Sequence, residues 1–293
     1  MILVTAANGN QGKLLIPRLL ATGNKIRACV RSEESALALR AAGVADVVVG
    51  DITDPAVLSR AMCGAEKVYY VGPALHPKEA SMGFAAIDAA RDVGVKHFVF
   101  SSVLHAIITD LIQHEIKRDI EEYLVSSGLE FTILQPANYM LRHRLVPAFQ
   151  RGVFPLSWAL DRKQSMVDLG DVAEVAAAVL CHTQEHAGAT YELVSIGRYT
   201  AHELAGIISG VAGRRVTAEQ IDSEVFLKAA LGVTDLEQFP YQSRVLRAIS
   251  KRYSSHDFIG NPKVLTWLLG RSPTTFEQFV RREFGAFQSS VRV

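Results

Sequence analysis

Short apolar runs alternate with helix-spaced amphipathic segments through the first half of the chain, and glycine or proline punctuates most junctions. Continuous apolar runs bounded by turn residues read as strands buried on both faces, and apolar residues three and four apart read as the inner stripe of a helix. On this basis strands are predicted at Ile2–Val4, Lys25–Val30, Ala45–Val49, Lys67–Val71, Lys96–Phe100 and Glu130–Leu134. Helices are predicted between them: Gly12–Ala21, one from Glu33 stopped by Gly43, one from Pro55 to Gly64, Lys78–Val93 and Thr109–Ser127. Ser32 and Asp54-Pro55 are the cap signals for the second and third helices. Strict strand–helix alternation predicts an α/β fold, a Rossmann-type doubly wound parallel sheet. A helix over Asp171–His182 and a strand over Tyr191–Val194 extend it. After about Thr200 helical spacing dominates, at Ala201–Val211, Ser223–Leu231, Val245–Ser250, Lys263–Leu269 and Thr274–Phe284, the last with a Thr274/Glu277 capping box. The expected division is a dinucleotide-binding domain over 1–155, with a further strand and helix from about 165–195, and a smaller, mostly helical substrate-binding part over 196–293.

Composition narrows the classes. The 293 residues are 49% hydrophobic and 21% charged, with a net charge of +1. Arg142-His143-Arg144 and Arg214-Arg215 are short and read as solvated faces, so nucleic acid is disfavoured as a partner. Cys29, Cys63 and Cys181 are widely spaced and show no metal spacing; they are expected to be buried thiols in a reducing compartment, with no metal bound. No signal peptide precedes the first strand, and the apolar stretches are too short or too broken by charge to span a bilayer, so a cytoplasmic protein without a membrane partner is expected.

The first strand runs into Thr5-Ala6-Ala7-Asn8-Gly9-Asn10-Gln11-Gly12 and then a helix. That order sets free backbone N–H groups and the positive helix end beside a buried parallel strand, which suits a pyrophosphate. Ala7, Asn8, Gly9, Asn10, Gln11 and Gly12 are therefore candidate cofactor contacts. Ala6 stands where the usual pattern has its first glycine, and fits there if its φ is negative. Arg31, at the end of the second strand, favours a 2′-phosphate where an acid would favour a bare ribose, so NADP(H) is expected over NAD(H). Other strand ends supply Asp51-Ile52, Val71-Gly72-Pro73, Ser101-Ser102, Pro136 and Asn138. On the helix after the fifth strand, Ile116, Ile120, Tyr123 and Leu124 form one stripe, and Gln113, His114 and Lys117 lie together on another face. Spacing alone equally allows Lys117 a surface pair with Glu121. His105, His114, Lys117 and Tyr139 are the candidate catalytic groups.

These segments together resemble the NmrA-like family, a branch of the atypical short-chain dehydrogenases. The resemblance covers most of the chain and is carried by the glycine turn, Val30-Arg31, Gly50-Asp51, Phe98 to His105, Gln113 to Lys117, Ile120 to Leu124, Ile133 to Met140 and Val167 to Ala173. It implies NADP(H) binding, with Arg31 on the 2′-phosphate and Lys117 as the counterpart of the superfamily's active-site lysine. Where the wider superfamily has a proton-donating tyrosine four residues before that lysine, this chain has Gln113. The resemblance thus allows an NADP(H)-dependent reductase of a carbonyl or conjugated alkene in a small, apolar metabolite. It also allows a redox sensor that binds the cofactor without turnover, and a redox-neutral isomerase. A small-molecule substrate is expected; a homodimer or protein partner is left open.

Overall fold

The computed structural model describes residues 1–291. In chain order the elements are β1 (Ile2–Val4), α1 (Gly12–Ala21), β2 (Ile26–Val30), α2 (Glu33–Ala41), β3 (Asp46–Val49), α3 (Pro55–Met62), β4 (Lys67–Tyr70), α4 (Glu79–Asp92), β5 (His97–Ser101), α5 (Ile112–Val125) and β6 (Phe131–Pro136). There follow β7 (Asn138–Tyr139), α6 (Arg142–Arg151), β8 (Val153–Leu156), β9 (Met166–Val167), α7 (Leu169–Cys181), a 3₁₀ turn and β10 (Ala189–Leu193). The chain ends with α8 (Ala201–Ala212), β11 (Thr217–Gln220), α9 (Ser223–Leu231), α10 (Pro240–Ser255), α11 (Lys263–Leu269) and α12 (Phe276–Val291).

Two compact units result. The first comprises 1–109, 113–136 and 169–193. Its seven strands run in the order β10-β6-β5-β4-β1-β2-β3, and every pairing is parallel. The order reverses direction at β1, so right-handed crossovers send α1 and α2 to one face and α4 and α5 to the other. Leu3, Tyr70, Phe98 and Phe100 of the sheet pack with Met62, Ile87, Ile120 and Leu124 of α3, α4 and α5 into one buried cluster. The doubly wound sheet expected from the alternation is present.

The second unit comprises 110–112, 137–168 and 194–293. It is mostly helical, with two small parallel pairs, β7–β9 and β8–β11. The division therefore falls at Pro136, earlier than the expected 155, because β6 hands the chain to β7, whose partner β9 belongs to the same unit. The β7, β8, β9 and β11 strands are two to four residues long, too short to show a period, and β8 carries Pro155.

Three local expectations shift. α5 starts at Ile112, after a turn at Thr109-Asp110, not at Thr109. α10 extends well beyond the expected 245–250, because Pro240 occupies its first turn. The last capping box uses Thr275 and Gln278, with Thr275 N donating to Gln278 Oε1 at 2.8 Å and Gln278 N to Thr275 Oγ1 at 3.2 Å; the Thr274/Glu277 pair lies one residue out of register. Among the described residues no helix is long and apolar enough to cross a membrane, and no group of three metal-ligating side chains occurs. The cysteines form no disulfide; Cys29 is buried as expected, whereas Cys63, in the turn that ends α3, is exposed and Cys181 half-buried.

Candidate cofactor and active site

The switch in strand order lies between β1 and β4, and there Thr5 ties the two strand ends together. Its hydroxyl accepts from Val71 N at 2.8 Å, and its backbone N donates to Tyr69 O at 3.0 Å. The turn that follows is built by close backbone approach. A Cβ on Gly12 would stand 2.4 Å from Ala7 O, and one on Gly9 would stand 2.9 Å from Ala6 O. Only glycine fits either place. Gly9 N closes the turn on Ala6 O at 2.7 Å. This closure puts Ala6 at φ 47°, in the left-handed region, so the negative φ expected of an alanine there is not what the fold uses. The N-terminus of α1 carries neither a side-chain cap bond nor an acid in its first turn, which leaves its helix dipole open to an anion.

Several polar side chains expected as ligands are engaged within the protein instead. Gln11 is buried; its Nε2 donates to Ser101 Oγ at 2.9 Å, and Tyr69 OH donates to its Oε1. Buried polar groups require partners, and these three lock α1 to β4 and β5. Ser102 Oγ donates to Glu121 Oε1, which also accepts from Gln135 Nε2 at 2.9 Å. Asn8 Nδ2 donates to Ser35 Oγ at 2.7 Å, joining the turn to α2. Asn10 is exposed, and so is Arg31, which forms no ion pair among the described residues. Asp51 accepts from Thr53 N at 2.9 Å. Those Thr53 hydrogen bonds, aided by the Arg31 and His76 charges, hold its carboxyl below the usual range. Ile52 packs against the core cluster.

Lys117, a candidate catalytic group, sits in a buried ion pair. Lys117 Nζ of α5 lies 2.7 Å from Glu79 Oε1 at the start of α4, with side-chain exposures of 12% and 2%. The ammonium also sits over the Phe100 ring, 5.1 Å from its centroid. Gly72 is pressed against the pair: a Cβ there would stand 3.3 Å from Glu79 Oε1 and 3.5 Å from Lys117 Nζ. The surface pairing of Lys117 with Glu121 is therefore excluded, because Glu121 turns to Ser102 and Gln135 and burial pushes its carboxyl up. Ile120 and Leu124 are buried, with Ile116 and Tyr123 packed against the same cluster, so the expected inner stripe of α5 is present.

The histidines differ from expectation. His114 is 1% exposed, and its Nδ1 donates to His105 O at 2.9 Å, so it braces the loop after β5 and is not presented to a substrate. His105 is half-buried at φ 56°, with Nδ1 3.5 Å from Glu192 Oε1 of β10. Pro136 ends β6, its carbonyl accepting from Leu104 N at 2.9 Å. Asn138 and Tyr139 belong to the second unit. Asn138 is bound at both ends of its amide, accepting from Tyr253 OH at 3.0 Å and donating to Gln164 Oε1 at 2.9 Å, so it is not free for a cofactor. Tyr139 lines a cavity of that unit.

The model of the NmrA-like family matches residues 1–261. The chain belongs to this family. It is 30% identical over 288 residues to quinone oxidoreductase 2 of Escherichia coli (strain K12), covering 97% of this chain and 99% of that protein. It is 29% identical over 295 residues to the NAD(P)H azoreductase of Xenophilus azovorans, covering 98% and 99%. Its fold matches the crystal structure of the Citrobacter sp. triphenylmethane reductase complexed with NADP(H), with a TM-score of 0.80, 27% identity and coverage of 96% and 99%. In this NmrA-like chain sequence reading missed Glu79 and Gln164. Glu79 starts a helix, where an acid is ordinarily a dipole partner, and Gln164 lies outside every predicted element; neither carried a signal.

Proposed function

We propose that this NmrA-like protein is an NADP(H)-dependent reductase of a conjugated carbonyl acceptor, of which quinones are the leading class. The observation that carries the reading is the buried Lys117–Glu79 pair beside Gly72, in the same sheet unit as a glycine turn that only a close backbone approach explains. The residues fit the cofactor. Gly9 and Gly12 clear the path to the uncapped α1 terminus for the pyrophosphate, and Arg31 meets the 2′-phosphate. The chemistry supplied by NADPH is hydride transfer, which with one proton converts a carbonyl to an alcohol, or a quinone to a quinol, and leaves NADP⁺.

The chain's own residues hold and protonate. Glu79 fixes one side of the Lys117 ammonium, and its remaining N–H groups serve the nicotinamide ribose. Gln113 supplies no proton, so the proton comes from Lys117 or from His105, which Glu192 keeps oriented. The quinone oxidoreductase and azoreductase relatives support a conjugated acceptor in place of a simple alcohol. A reducing compartment suits the unpaired cysteines.

Calorimetric titration with NADPH and NADH tests the reading, followed by NADPH oxidation across a quinone and enone panel. Wild type binds NADPH tightly. Arg31→Ala weakens NADPH by about 10–100-fold, the worth of one charge-assisted contact, and leaves NADH unchanged. Lys117→Ala lowers turnover by at least about 100-fold. Absence of nicotinamide binding, or of turnover with any acceptor, overturns it.

A further inference from the structure

A polar cleft of about 390 Å³, the size of a small-metabolite site, lies wholly within the second unit. One wall is a stripe of α10, Arg247, Ser250, Lys251 and Ser254, whose spacing places them on one helix face. Facing it are Ser157, just after β8, and the start of α9. Donors without acceptors dominate this lining. Ser157 and Ser250 are 6% and 7% exposed, and their hydroxyls bond to each other at 2.8 Å. Two hydroxyls hold two protons, and the bond between them uses one. Whichever serine donates, the other's proton has no acceptor in the protein. Ser250 does not turn back onto its own helix as Ser255 does, whose Oγ donates to Lys251 O at 2.9 Å. A buried O–H in this state is costly, and an acceptor in the cleft removes the cost. Ser254 Oγ accepts from Ala159 N at 3.1 Å, and its own proton likewise finds no acceptor. Lys251, next to Ser250 on the stripe, is exposed and forms no ion pair among the described residues. Arg247 Nη2 meets Glu224 Oε1 at 3.0 Å, so those two charges offset each other. The acid on the lining, Asp222, is turned to α9, its Oδ1 accepting from Glu224 N at 2.8 Å and Val225 N at 3.3 Å.

We propose that this cleft binds a phosphate monoester. The hydroxyl proton left over by the Ser157–Ser250 pair, the Ser254 proton and the Lys251 ammonium meet the phosphate oxygens. A phosphate monoester offers three strong acceptor oxygens to these three donors, where a carboxylate offers two. Bonds from these groups to an anion are charge-assisted, and Lys251 supplies the countercharge. The volume beyond that of the anion holds the body of the ester, against Gln220, Ile221 and Ser223. Nothing in this cleft depends on the nicotinamide reading, since every residue that lines it belongs to the second unit.

Calorimetric titration of the full chain tests this with two esters of unlike body, glucose 6-phosphate and phenyl phosphate. Glucuronate and benzoate carry the same bodies on a carboxylate and serve as comparisons. Saturable binding of at least one ester at millimolar concentration is expected, at least about tenfold tighter than its carboxylate counterpart. Lys251→Met keeps the apolar stem, removes the charge and weakens the ester by at least about tenfold, while Lys251→Arg restores it to within about threefold. The Ser157→Ala/Ser250→Ala double variant leaves neither hydroxyl unpaired, so it folds as wild type does and weakens the ester by at least about threefold. Lack of saturable binding by both esters, carboxylates that bind as tightly, or a folded Lys251→Met within about twofold of wild type overturns the site. The titration needs no nicotinamide, so its result is read separately from the NADPH assays.

Discussion

Removing the Glu79 carboxylate strands the Lys117 ammonium in a place built for a pair. At 2.7 Å and an effective dielectric near 20, the Coulomb attraction is about 6 kcal/mol before solvation is counted. Both side chains are withdrawn from water, Glu79 almost completely, so the discount that applies to surface pairs does not apply here. Breaking a buried pair by deleting one partner costs about 3–5 kcal/mol, whereas replacing both partners by apolar side chains of similar volume is often neutral. A double-mutant cycle separates these contributions. Glu79→Leu alone and Lys117→Met alone should each lose about 3–5 kcal/mol, while the double variant should lie within about 1 kcal/mol of wild type. Urea unfolding followed by circular dichroism at pH 7 reads all four corners, and parallel slopes identify a stability effect and not a change in the unfolded chain. These losses correspond to a coupling of at least about 5 kcal/mol. Additive losses, or single losses under about 1 kcal/mol, would refute the claim that Lys117 is held by Glu79. The stable double variant should still reduce no quinone, which would show that the pair is kept for function and not for the fold.

Three further outcomes are expected. Gly12→Ala forces a Cβ to within 2.4 Å of Ala7 O, so thermal unfolding should show a loss of about 1–3 kcal/mol with NADPH affinity lost alongside; an unchanged melting temperature would contradict the close approach. Ala6→Gly relieves the left-handed backbone at φ 47° and should stabilise by about 0.5–1 kcal/mol, the strain removed exceeding the added freedom of the unfolded chain; destabilisation in urea would count against that conformation. His97 is buried, and burial, aided by the Lys67 and His186 charges, lowers it to about 4. The unfolded imidazole binds its proton near 6.5 and the folded one only near 4, so between these values the unfolded state holds more protons and stability rises with pH. The contribution is complete above pH 6.5 and about 3 kcal/mol of it is gone below pH 4; a His97→Gln variant, unfolded across the same range, should lack that part of the slope.

The sheet and its cofactor edge were legible because their signals are local. Apolar runs, helix spacing, the Ser32 and Asp54-Pro55 caps and the paired glycines each declare themselves within a few residues, and they set the strand–helix rhythm and the placing of Gly9, Gly12 and Arg31. Burial and partnership are not local. Lys117 had an equally spaced surface partner in Glu121, and only the packing of α4 against α5 put Glu79 beside it and sent Glu121 to Ser102 and Gln135. His114 carried the spacing of a site residue, yet its side chain points to the His105 carbonyl, because the loop after β5 folds back over α5. Gln11 and Ser101, both at the expected ligand edge, meet each other because parallel strands bring their ends level. Ala6 takes its conformation from the bond that Gly9 makes back to it, not from its own preference. Gln164, outside every predicted element, meets Asn138 of β7 only through the fold, and Tyr253 of α10 takes the other end of the Asn138 amide. Sequence pattern determines which elements form, since their propensities are written residue by residue; tertiary packing decides which polar groups are left for chemistry, since that depends on which neighbours have already been satisfied.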